Sequence, residues 1–107
     1  MKHPPLKYPR TPDGRYFVVR GRLWRMSNPQ LPEQRRQLLV KELMEARRSL
    51  KSLSPGGRSL AKRRIDQAKQ SLGERGAVWW QDGAPDFDRK LAKNTPYAAW
   101  FAALPIP

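Results

Sequence analysis

The chain has no cysteine among its 107 residues. Disulfides and thiolate metal sites are excluded by that alone. It has a single histidine, His3, in a proline-rich start. A Ser–His or Cys–His catalytic pair has almost nothing to draw on. Acids are scarce as well: nine Asp and Glu stand against 22 Lys and Arg, a formal net charge of +13. Long hydrophobic runs are missing. The longest apolar stretch, residues 97–104, is far shorter than the roughly 20 residues that cross a bilayer. Met1-Lys2-His3-Pro4-Pro5 carries no apolar segment of the secretory kind, so a cytoplasmic location is expected.

What is present is one domain's worth of chain, with enough large apolar residues to fold. Four Trp, three Tyr and three Phe supply core pieces. The charge is uneven. Residues 1–29 hold seven basic groups and one acid, residues 32–53 six and three, residues 57–73 five and one. Residues 74–107 hold four and four, so the last third is neutral and aromatic. An excess of this size points to a polyanionic partner.

The expected organisation is a single domain. Residues 1–9, with three prolines, read as an extended arm. Residues 10–26 read as a β-hairpin region. Thr11-Pro12-Asp13-Gly14 is a turn, with Pro fixing φ and Gly supplying a positive one. Residues 15–19 and 22–26 are strand-like in composition. Either Gly21 closes a hairpin between them or one strand runs through it. Residues 32–73 read as an antiparallel helical hairpin. Leu39, Leu43, Ala46, Leu50 and Leu53 form one apolar stripe; Ala61, Ile65, Ala68 and Leu72 form another. Ser54-Pro55-Gly56-Gly57 separates them and Gly73 ends the second. Residues 74–107 form an aromatic C-terminal segment. A short helix is expected over 86–93, and another over 97–104 behind a Thr95 cap. The predicted class is α+β: a small N-terminal antiparallel sheet of two or three strands, packed with the helical hairpin and one or two short helices.

Four groups of residues are candidates for chemistry. The first is the Arg-rich strand region: Arg15, Tyr16, Arg20, Arg22, Trp24 and Arg25. Guanidinium groups meet phosphates and flat rings stack on bases. In the continuous strand, Phe17, Val19 and Leu23 share one face, and Tyr16, Val18, Arg20, Arg22 and Trp24 the other. In the hairpin, Val19 pairs with Arg22 and Phe17 with Trp24, a face expected to be mostly core. The second is the helical hairpin, where Lys62, Arg63 and Arg64 form the densest basic triplet and Arg36 and Arg47 flank the Leu stripe. Glu33–Arg36, Glu45–Arg48 and Asp66–Lys69 neutralise part of that charge.

The third is the acidic loop of Asp82, Asp86 and Asp88. It fits no EF-hand spacing, and turn and helix-start roles are expected for it rather than metal binding or catalysis. The fourth is Tyr97, Trp100, Phe101 and Leu104, which either close the core or form an interface. No P-loop, G-x-S-x-G, G-x-G-x-x-G or H-E-x-x-H motif occurs. No enzymatic activity, catalytic residue, metal or cofactor is expected.

The runs PDGRYFVVRGRLWRMSNP, VWWQDGAPDF and NTPYAAW, with the Pro-Glu-led helix between the first two, resemble a family of small uncharacterised bacterial proteins. The resemblance spans nearly the whole chain. It implies a bacterial, single-domain protein and carries no activity, ligand or functional residue.

The leading expectation is a basic, non-enzymatic protein that binds nucleic acid, DNA or RNA. The alternative is an interaction module with an acidic protein partner, or a homodimer formed through the C-terminal aromatic helix. Binding to anionic lipid is a third, weakened by the want of a basic amphipathic helix with bulky aromatics.

Overall fold

The computed structural model describes residues 8–51 and 54–105. The first seven residues of the arm, Ser52, Leu53 and the final two residues lie outside the described residues. The element order is β1 (Tyr16–Val19), β2 (Arg22–Arg25), α1 (Glu33–Ser49), α2 (Pro55–Leu72), a 3-10 turn (Ala92–Asn94) and α3 (Ala98–Ala102). The class is α+β. The chain divides into two units, one made of the N-terminal residues to Met26 with those from Gly83 onward, the other of residues 27–82.

The first unit is built on the hairpin. Arg20 and Gly21 form its two-residue loop, at φ 52 and φ 82. Both angles are left-handed, as the turn that matches strand twist demands. Register follows: Val19 faces Arg22, Val18 faces Leu23, Phe17 faces Trp24 and Tyr16 faces Arg25. A single bridge joins Arg10 to Phe17 on one side, and another joins Leu91 to Arg22 on the other. The Leu91 side runs along β2. The Leu23 amide donates to the Lys90 carbonyl at 2.9 Å, the Arg89 amide to the Leu23 carbonyl at 2.6 Å, and the Ala92 amide to the Gly21 carbonyl at 2.8 Å. A bare two-stranded hairpin is marginal in water, and these flanking segments cover its edges.

Two expectations are corrected here. The inner face is not Phe17 with Val19. Tyr16, Val18, Leu23 and Arg25 are buried, while Trp24 is exposed and Phe17 and Val19 are half-buried. Nor do residues 86–93 form a helix. Residues 89–91 pair with β2, a 3-10 turn begins at Ala92, and the Asp86 and Asp88 carboxylates bond to Tyr16 and Arg25 instead of capping a helix.

The second unit is the helical hairpin. The two stripes meet in a core of Leu39, Leu43, Ala68 and Leu72, with Leu31 and Ile65 packed against it. Ala46 and Ala61 extend the seam. Helix α1 ends one turn before Leu53, with Leu50 as its C-cap. Ser54-Pro55-Gly56-Gly57 is not a loop but the start of α2. The Ser54 hydroxyl accepts from the Gly57 amide at 3.2 Å and Pro55 occupies the first turn.

Gly73 closes α2 at φ 92. A Cβ there would stand 2.9 Å from Trp79 Cδ1 and 3.0 Å from the Asn28 nitrogen. That nitrogen donates to the Leu72 carbonyl at 2.7 Å. Gly73 thus lets two strands of backbone and a Trp ring meet at one helix end. Gly73→Ala should cost more than the roughly 1–2 kcal/mol of a left-handed alanine alone. Urea denaturation measures it, and a loss under about 1 kcal/mol would mean that the close approach does not exist.

Candidate nucleic-acid interface

The register of the hairpin decides what the first unit shows to solvent. Arg10, Phe17 and Trp24 stand side by side across three backbone segments, because directly opposed residues share a face. The same register carries Arg89 to the level of Trp24, and its guanidinium carbon lies 6.0 Å from the Trp24 ring centre. Tyr8 stacks on Phe17 with ring centres 6.4 Å apart and planes 25° from parallel. Arg22 projects from the adjacent row and donates through Nη1 to the Arg89 carbonyl at 2.9 Å. Arg20 is exposed at the turn. The result is a shelf of three rings, Tyr8, Phe17 and Trp24, bordered by Arg10, Arg20, Arg22 and Arg89. Tyr8 and Trp24 are 39% and 36% exposed. Two large, partly exposed rings on one face, flanked by arginines, make the shelf the candidate contact surface of this unit.

The opposite face is closed by a polar latch. The Tyr16 hydroxyl donates to Asp86 Oδ1 at 3.3 Å and accepts from the Phe87 amide at 2.8 Å. Arg25 Nη1 donates to Asp86 Oδ2 at 3.2 Å, and the Arg25 amide donates to Asp88 Oδ1 at 2.9 Å. Burial pushes the Tyr16 phenol up to about 12, with the Asp86 charge adding to it. The rings of Tyr16 and Phe87 both meet Tyr97 edge-on, at 5.5 and 6.1 Å. The Tyr97 hydroxyl donates to Asp13 Oδ2 at 2.6 Å, which ties the C-terminal segment to the first turn. Thr11 donates to Asp13 Oδ1 at 2.7 Å and the Arg15 amide donates to the same oxygen at 3.1 Å. Burial opposes ionisation of Asp13, but the Tyr97, Thr11 and Arg15 bonds outweigh it and hold the carboxyl below its usual range.

The residues singled out from sequence separate accordingly. Arg20, Arg22 and Trp24 come together on the shelf. Arg15 is half-buried, with Nε 3.9 Å from Asp13. Tyr16 and Arg25 are buried and leave the candidate set: their polar ends are turned to Asp86 and away from any ligand on the shelf. In the second unit, Lys62 and Arg63 are exposed. Arg64 instead grips Glu42 with two bonds, of 2.8 and 3.0 Å, and holds that carboxylate below its usual range. Arg36 is turned inward as well, donating to Ser27 Oγ and to the Asn28 carbonyl at 2.6 Å. Tyr97, Trp100, Phe101 and Leu104 are all half-buried. Phe101 packs near Gly21, and none of the four is among the exposed large apolar side chains.

Sequence reading missed Tyr8, Arg10, Phe17 and Arg89 as surface groups. The paired hairpin register was one of its two alternatives, and it puts Phe17 beside Trp24. Nothing local foretells Arg89, which arrives from 65 residues beyond Trp24 through long-range pairing. Among the described residues no group of three or more His, Asp or Glu stands close enough to hold a metal ion. No family model, no curated protein and no solved structure matches this chain.

Two outcomes follow from the latch. Asp86→Ala strips a buried arginine and a buried phenol of a shared acceptor. Water reaches the Asp86 side, which is 38% exposed, so a loss of about 2–3 kcal/mol is expected in urea unfolding. A loss below about 0.5 kcal/mol would make the latch a surface decoration. Asp13 has a depressed folded pKa, so its contribution to stability is complete above the ordinary aspartate value of 3.8 and fades as pH falls through the folded value. Wild-type and Asp13→Asn melting temperatures should therefore differ near neutrality and converge in acid. A gap that persists unchanged below the folded value would contradict this.

Proposed function

We propose that the protein is a non-enzymatic nucleic-acid-binding protein whose sheet shelf receives unpaired bases. One observation carries the reading: adjacent rings on an exposed sheet face are flanked by arginines, with Arg89 over Trp24 and Arg22 fixed beside them. Stacking on rings is tolerant of base identity, because every base has a flat face. Arginines at the border meet the phosphates that connect those bases. Bases inside a duplex are stacked on each other and cannot lie flat on such a shelf, so a single strand is the favoured form. The net charge of +13 speeds encounter with any polyanion but does not choose between forms. The role belongs to the bacterial cytoplasm. No helix among the described residues is long and apolar enough to cross a membrane.

Fluorescence anisotropy with labelled oligo(dT), oligo(U) and a matching duplex, across a salt series, tests the reading. Binding to single strands should persist near physiological salt. Trp24→Ala should weaken it by about 5- to 150-fold, the equivalent of one base stack at roughly 1–3 kcal/mol. Arg22→Gln with Arg89→Gln should weaken it further and flatten the salt dependence. A folded Trp24→Ala protein with unchanged affinity for every oligonucleotide would sink the proposal.

A further inference from the structure

The rings of the shelf follow one another across the strands. Arg10 bridges to Phe17 and Phe17 pairs with Trp24, so these side chains form one row at right angles to the hairpin. Arg89 reaches the far end of that row, its guanidinium carbon 6.0 Å from the Trp24 ring centre. The row reads arginine, ring, ring, arginine over four backbone segments. Tyr8 stacks on Phe17 and widens the platform of that ring. The neighbouring row, Val19, Arg22 and Leu91, holds no ring.

An irregularity in the pairing places the last arginine. The Arg89 amide donates to the Leu23 carbonyl at 2.6 Å, and the Leu23 amide donates to the Lys90 carbonyl at 2.9 Å. Arg89 and Lys90 thus both oppose Leu23, which makes a β-bulge. The first residue of such a bulge is left-handed and suits glycine, yet Arg89 stands there at φ 68. The position spends backbone strain to present an arginine beside Trp24. That side chain stays 57% exposed, its Nε 3.9 Å from Asp88 Oδ2. At the other end of the row Arg10 is exposed.

From this row we infer that a single strand crosses β1 and β2 at right angles, with two adjacent bases on Phe17 and Trp24 and the flanking phosphates on Arg10 and Arg89. The inference rests on the shelf being a nucleic-acid site, and it adds the size and path of the ligand. Opposed side chains stand about 4.5–5.5 Å apart at Cβ. Successive nucleotides of a duplex strand are about 3.4 Å apart along the axis. Bases on the two rings are spread beyond that spacing, which an unpaired strand permits. Three strand spacings of about 4.7–4.9 Å set the end segments roughly 14 Å apart. One phosphate cannot serve both arginines at that separation, and two bases fit between them.

The test uses the full-length protein and labelled thymidine decamers in which chosen positions are abasic. An abasic nucleotide keeps its phosphate, so these ligands count bases alone. Two adjacent thymines should bind nearly as tightly as the all-thymine decamer. One thymine, or two held apart by several abasic nucleotides, should bind about 5- to 150-fold more weakly, the loss of one stack. Arg10→Gln and Arg89→Gln should each flatten the slope of log K against log salt by about 0.7, the share of one phosphate on a single strand. Arg10→Lys and Arg89→Lys should keep the wild-type slope, because a phosphate reads charge. Arg35→Gln and Lys41→Gln, at exposed positions of α1, should change it far less. Arg89→Gly suits the left-handed backbone, so it should stay as stable as wild type and still lose the contact. Affinity that climbs with every added thymine would overturn the inference. So would equal slopes in the row and α1 variants, or full affinity in a folded Arg89→Gly protein. Each of those results leaves Trp24-dependent binding, and with it the shelf, in place. A wild-type protein that binds no oligonucleotide removes the shelf and this inference together.

Discussion

The turn at Arg20 and Gly21 sets the terms for the first unit. A two-residue loop leaves no slack, so each residue of β1 has one partner on β2 and one side of the sheet to occupy. A slip by one residue would exchange the two faces entirely. Arg20 bears the strain of a left-handed backbone at φ 52, a conformation that non-glycine residues adopt at some energetic cost. That cost is tolerable because the register it fixes is supported from both sides. Buried Tyr16 and Leu23 hold the inner face, and the bridges from Arg10 and Leu91 hold the two edges.

The inner face carries an apparent contradiction, an arginine in a core position. Arg25 is 3% exposed and lies where alternation asks for an apolar residue. Burying a charge without a partner would be prohibitive. The segment from Pro85 to Asp88 resolves this by supplying Asp86 to the guanidinium and Asp88 to the backbone amide of the same residue. Tyr16 then shares Asp86, and Tyr97 meets Tyr16 edge-on while its hydroxyl reaches Asp13. A buried polar chain of this sort specifies one arrangement more strictly than apolar contact, since each member loses its partner if the others move. It also explains why the acidic loop forms no helix over Asp86 and Asp88.

Much of this was legible in the sequence, and the parts that were not share a cause. The helical hairpin could be read because a 3.6-residue stripe is a local signal, carried by Leu39, Leu43 and Ala46 in α1 and by Ala61, Ile65, Ala68 and Leu72 in α2. The turns at Thr11–Gly14 and Gly73 could be read because proline and glycine state their backbone angles directly. The faces of the hairpin could not. Tyr16-Phe17-Val18-Val19 is apolar on both sides, so alternation alone cannot say which side is inside. The decision came from Asp86, some 70 residues away, which had a bond to offer Tyr16 and Arg25 but none to offer Phe17 or Trp24. The same segment displaced the helix expected over 86–93 and delivered Arg89 to the outer face.

The inside and the outside of the sheet are therefore one problem. Each polar group that the Asp86 latch draws inward pushes its strand neighbour outward, because adjacent side chains in a strand point to opposite faces. Drawing Tyr16 and Arg25 in places Phe17 and Trp24 out. Pairing β2 with residues 89–92 to protect its edge places Arg89 beside Trp24. The ring shelf is thus what remains when the core has satisfied its own charges. Substitutions at the latch and on the shelf should accordingly act on different quantities. The latch bears on whether the unit folds, and under the proposed function the shelf bears on what the folded unit binds. Where a change at Asp86 alters ligand affinity, it must do so through the register, and the hydrogen bonds between Leu23, Arg89 and Lys90 are the place to detect it.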